Sequence, residues 1–162
     1  MKLFWAHGET FEFQIGRREK DLLLDLLKLY PLVPEAYHRL SRGSQIPNQE
    51  ENQHLLDEAL KAQRLANQKI ILAMLDEPGR FAVGPSGFRT SFTRVEIEWL
   101  LQVLNDIRIG SWIALGSPGY SEEEGYLHDH KSVRHAVAME IAGGFESHFL
   151  GAVSGDMPPE PD

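Results

Sequence analysis

The sequence has no cysteine, which excludes disulfides, thiolate catalysis, cysteine-based zinc sites and iron–sulfur ligation. It also has no run of about 18 uninterrupted apolar residues, the minimum for a membrane-spanning helix, so no membrane partner is expected. The opening stretch MKLFWAHGE has four apolar residues between Lys2 and His7, too few for the core of a secretory signal. The expectation is a cytoplasmic protein. Positive charge is scarce where it would matter most. Residues 1–100 carry 13 Lys/Arg against 14 Asp/Glu, whereas residues 101–162 carry 3 against 10. A nucleic-acid surface needs clustered cations to displace phosphate counterions, and the C-terminal third would repel phosphate. The short basic run Arg17-Arg18 is offset by Glu19 and Asp21.

With 162 residues, 42% of them hydrophobic and 25% charged, the chain has ordinary globular proportions and length for one domain with a sizeable core. Residues 1–153 are expected to form that domain. Residues 154–162 (SGDMPPEPD) read as a disordered, acidic, Pro-rich tail.

Two segments have strand character. Residues 2–15 alternate apolar and polar around a turn at His7-Gly8. Residues 80–92 place two short runs around Gly84-Pro85-Ser86-Gly87. Since an isolated hairpin is marginal in water, both are expected to join one small sheet. Four helices fill the rest. The first is expected from about Arg18 to Tyr30, with Leu22, Leu23, Leu26, Leu27 and Tyr30 on one face and Pro31 as the stop. Residues 31–48 read as a connector, with a short helical turn near Ala36-Tyr37. A long helix of roughly 40 Å should follow, from a cap at Asn48 with Glu51 to Leu75, ended by Pro78-Gly79. Thr93 with Glu96 opens the third helix and Ser121 with Glu124 the fourth, which runs from about Glu122 to Phe149 and eases at Gly143-Gly144. The expected class is mainly α (α+β): a four-helix bundle around a central apolar helix, with a small sheet made of two hairpins.

The central helix is residues 99–116, WLLQVLNDIRIGSWIALG, apolar nearly all round except for Asn105, Asp106 and Arg108. On a helix Asp106 and Arg108 lie about 160° apart and cannot pair with each other comfortably. Each must find a partner elsewhere, because a buried unpaired charge costs several kcal/mol. Arg64 or Lys69 of the long helix is the candidate partner for Asp106, and Glu140 of the last helix for Arg108. The first reading of these residues is structural: they set which neighbours the helix meets. The sharper reading is a ligand or catalytic pocket.

The pattern Trp99-Leu100-Leu101, Leu104-Asn105-Asp106, Arg108 and Gly110 resembles the signature of a bacterial domain-of-unknown-function family. In actinobacteria that family is often encoded beside the adaptor of the Clp protease. The N-terminal hairpin, the leucine-rich first helix, Ala36-Tyr37 and the long helix with an Arg and a Lys agree with its layout. The HDHKSVRH segment departs from it. The resemblance implies a regulatory or interaction role in the bacterial cytoplasm and no catalytic residues.

Other candidate sites are weaker. His128, His130 and His135 invite a metal reading, but on a helix His128 and His130 are about 200° apart, and Lys131 shares the stripe of His128 and His135. In a loop or strand, His128 and His130 could face the same way. Gly79 to Ser86 has the glycine spacing of a phosphate loop, but Pro85 stands where the lysine is needed. No nucleophile-elbow context supports hydrolysis. No cofactor is expected. The leading expectation is therefore a non-enzymatic regulatory or protein-interaction domain that binds a protein partner or itself. The alternative is a small-molecule-binding protein or enzyme using the Asn105/Asp106/Arg108 cluster with Arg64 or Lys69.

Overall fold

A computed structural model describes residues 1–34, 48–117 and 130–159. It is mostly helical, with four helices and one four-stranded antiparallel sheet. The elements are β1 (Lys2–His7), β2 (Thr10–Ile15), α1 (Arg17–Leu27), α2 (Gln49–Leu75), β3 (Ala82–Gly84), β4 (Gly87–Thr93), α3 (Arg94–Ala114) and α4 (His130–Ser154). The sheet order is β1-β2-β4-β3, so the N-terminal pair and the later pair meet along β2 and β4, with Phe13 opposite Thr90.

The alternation in β2 buries Phe11, Phe13 and Ile15 on one face, joined by Leu3 of β1 and Phe92 of β4. Phe149 of α4 stands edge-on to both Phe13 and Phe92, with ring centroids 5.4 and 5.7 Å away. Such edge-to-face contacts add to the burial of the rings themselves. One apolar core runs from this aromatic group through Leu23, Leu26 and Leu27 of α1 to Leu100, Val103, Leu104 and Ile107 of α3.

Several local expectations are revised. The turn between β1 and β2 is Gly8-Glu9 rather than His7-Gly8. Helix α1 ends at Leu27 and leaves Leu22 exposed. Asn48 precedes α2 in a left-handed conformation and makes no side-chain cap bond, so it is not the capping-box residue its type suggests. Helix α3 is buried on one side only: Leu101, Ile109 and Ile113 are half-buried and Trp112 is exposed. Part of the Pro-rich tail returns to the fold, with the Met157 N–H donating to the Gly151 carbonyl at 3.0 Å and its side chain packing on the core. The expected helical turn near Ala36-Tyr37, the Ser121/Glu124 cap and His128 lie outside the described residues.

The start of α3 follows its sequence. Thr93 N–H donates to the Glu96 carboxylate at 2.7 Å, and Thr93 Oγ1 accepts from Glu96 N–H at 3.2 Å. Arg80 completes this corner. Its guanidinium donates to the Met74 and Ser91 carbonyls at 3.1 and 2.6 Å and to the Glu77 and Glu96 carboxylates at 2.5 and 2.7 Å. Burial works to raise the Glu96 pKa, but the bonds from Thr93 and Arg80 outweigh it and hold the carboxyl below its ordinary value. A depressed carboxyl contributes stability above its unfolded pKa and loses it as pH falls through the native one. Stability is therefore expected to fall on acidification below the ordinary carboxylate range, and less steeply in Glu96→Gln, as read by denaturant melts across that range. Thr93→Ala is expected to cost about 1 kcal/mol in the same melts at neutral pH.

Candidate functional site

Residues 30–33, Tyr-Pro-Leu-Val, form a short strap between α2 and α3. A backbone that leaves regular structure must find partners for its N–H and C=O groups. Here side chains supply them. Asp106 Oδ1 accepts from the Leu32 and Val33 N–H groups at 2.7 and 3.1 Å. Asp106 Oδ2 lies 3.6 Å from Arg64 Nε, and each side chain is only 11% exposed. Gln68 donates to the Tyr30 carbonyl at 3.0 Å, and Asn67 bonds the Tyr30 side chain.

Gly110, one turn beyond Asp106, completes the arrangement. A Cβ there would fall 2.6 Å from the Leu32 carbonyl carbon and 2.7 Å from its Cβ. The strap thus lies directly on the α3 backbone, in a space only glycine leaves open. Asp106 and Gly110 share one face of α3 because they are four residues apart.

Burial raises the Tyr30 pKa above its ordinary value, and the nearby Asp106 charge adds to this against the opposing effects of Asn67 and Arg64. The neutral phenol contributes fully below its ordinary pKa. That contribution is lost as alkaline pH rises through the higher native pKa.

The other members of the cluster lie apart from this junction. Arg108 pairs with Glu146 of α4, not with Glu140 as the sequence suggests, and a Cβ added at Gly143 would fall 3.7 Å from its Nε. Glu146 is 8% exposed and Arg108 45%. Losing the guanidinium leaves a buried carboxylate, but the open side of the pair admits water and reduces the penalty. Arg108→Ala is therefore expected to cost about 1–2 kcal/mol in urea melts. Asn105 is exposed and, with Arg108, Ile109, Trp112 and Met139, lines a cleft of about 200 Å³. Lys69 is exposed on α2, and Arg64, not Lys69, is the partner of Asp106. His130 begins α4 exposed, and His135 is half-buried on the same helix. Among the described residues no three His, Asp or Glu side chains converge on a possible metal position.

A larger cleft of about 430 Å³ is lined by Glu12, Glu77, Arg80 and Arg89 among others. Its charges are already matched, Arg80 with Glu77 and Arg89 with Glu12 at 3.2 Å. Sequence reasoning missed Arg80, Asn67 and Gln68, and gave Gly110 no role beyond its place in the family pattern. A usable signal for Asn67 and Gln68 was present: with Arg64 they are polar residues on the α2 face that also carries Ile71 and Met74.

No family model matches this chain, and neither a curated protein nor a solved structure is similar to it.

Proposed function

We propose that the chain is a non-enzymatic regulatory or protein-interaction module of the bacterial cytoplasm. The observation that carries this reading is the engagement of Asp106: one oxygen takes two backbone N–H groups and the other faces Arg64, within a side chain 11% exposed. A carboxylate used this way holds backbone in place, with one oxygen committed to two N–H groups and the other turned to a guanidinium. Among the described residues no helix is long and apolar enough to cross a membrane, which agrees with this setting. The same reading takes the four helices as one bundle organised on α3, and it accords with the resemblance of the Asn105-Asp106, Arg108 and Gly110 signature to a bacterial family encoded beside the Clp adaptor.

The test is an affinity pull-down from lysate of the native host, read by mass spectrometry. Reproducible capture of one defined protein is expected, Clp components foremost. Recovery of the chain alone, together with saturable binding of a small molecule, would overturn the reading. That second possibility has one observation in its favour, the cleft beside Asn105 and Arg108. Its roughly 200 Å³ is below the ~300 Å³ at which small-molecule sites usually begin. Titration of Trp112 fluorescence with metabolite pools tests it directly.

A further inference from the structure

Helix α2 carries apolar residues on two faces. One face, with Ile71 and Met74, is buried in the fold. The other has no occupant among the described residues. Leu55, Leu65 and Leu72 are 58, 48 and 46% exposed there. Single exposed leucines are ordinary on a surface, but three on one helix stripe are not scattered.

The stripe has a regular spacing. Leu55, Glu58, Ala62, Leu65, Lys69 and Leu72 follow one another at alternating intervals of three and four residues, all exposed, over about 25 Å of helix. This is the repeat of a helix that packs lengthwise on another helix. Exposed Ala59 and Ala66 beside it keep the approach free of bulk.

The order of residue types along the stripe identifies the second helix. Read from either end, it pairs like with complement: Leu55 with Leu72, Glu58 with Lys69, and Ala62 with Leu65. We infer that α2 is a self-association surface, on which two copies pair antiparallel about a two-fold axis passing between Gln63 and Arg64. In that arrangement Leu55 of one copy meets Leu72 of the second, the small Ala62 receives Leu65, and Glu58 meets Lys69. The symmetry makes each contact twice. A parallel pairing would set Glu58 against Glu58 and Lys69 against Lys69, which like-charge repulsion disfavours. The charged positions thus set direction and register at some cost in stability, as polar residues in a helical seam do. Glu58 also lies 3.7 Å from His54 on its own helix, an exposed contact worth little by comparison.

The pairing deepens the interaction reading above and rests on it only in being an interaction. The two fail separately: the mass of the purified protein tests the pairing, and capture of a different protein tests the function. The experiment is sedimentation equilibrium of the full chain and of Glu58→Lys and Lys69→Glu. Both substitutions are on exposed positions away from the core, and circular dichroism checks that the helices persist. The wild type is expected at twice the chain mass. Each variant alone brings two pairs of like charges together and is expected to dimerise at least about 100-fold more weakly. An equimolar mixture of the two variants restores both opposite-charge pairs and is expected to return to the dimer. A monomeric wild type overturns the inference. So does dimerisation of either variant at wild-type strength, or a mixture no tighter than its components.

Discussion

Asp106→Ala is expected to lower the unfolding free energy by about 4 kcal/mol. The substitution removes the acceptor for two backbone donors, Leu32 and Val33 N–H, and the counter-charge of Arg64. Losing the partner of a buried amide costs roughly 1–3 kcal/mol, and an uncompensated buried charge about 3–5 kcal/mol. Some relaxation of the strap and of the long Arg64 side chain keeps the total below the sum. Asp106→Asn separates the contributions. An amide oxygen still accepts from the strap but no longer neutralises Arg64, so a smaller loss of about 2 kcal/mol is expected. Urea melts of the two variants measure both. Equal and negligible losses would show that the strap is held by something else.

The second large effect is at Gly110. In the interior of a helix, Gly→Ala normally stabilises by about 1 kcal/mol. Here the sign is expected to reverse. The new methyl group would meet the Leu32 backbone at 2.6 Å, and a backbone atom cannot swing aside as a side-chain tip can. Overpacking of this kind costs about 3 kcal/mol, which leaves a net loss of about 2 kcal/mol for Gly110→Ala and a larger one for Gly110→Val. Both act by lifting the strap, as Asp106→Ala does. The combined Asp106→Ala/Gly110→Ala variant should therefore lose less than the sum of the single losses, since the second change disturbs contacts already broken. A stabilised Gly110→Ala would contradict the close approach.

Much of the fold was legible because the signals were local. Phe11, Phe13 and Ile15 alternate as a half-buried strand must, and Thr93 with Glu96 forms the reciprocal cap its spacing suggests. The C-terminal limit of α2 followed from Pro78-Gly79. Of the site, the demand of Asp106 for a partner was legible in the interrupted apolar pattern, and Arg64 meets it. The partner of Arg108 was not. Glu140 and Glu146 are about 120° apart around α4, and the choice between them depends on how α4 crosses α3, which no single-helix pattern contains.

The least legible part was the strap. Its N–H groups are the main ligands of Asp106, and backbone donors look the same in every residue type. Arg80 escaped for the same reason, since two of its partners are the carbonyls of Met74 and Ser91. The Asn48 cap failed in the opposite sense: the residue type suits a cap, but its left-handed backbone turns the side chain away from that role.

The use of Asp106 as a structural fastening is tested most directly by amide hydrogen exchange at Leu32 and Val33, followed by NMR in the wild type and in Asp106→Ala. Both lie outside helices and strands, and Asp106 is the acceptor of both N–H groups. Strong protection is expected in the wild type, approaching that of the α3 core amides, with its loss at these two positions in Asp106→Ala ahead of any general loss. Rapid exchange of both amides in the wild type would contradict the fastening and return Asp106 to the candidates for a ligand site.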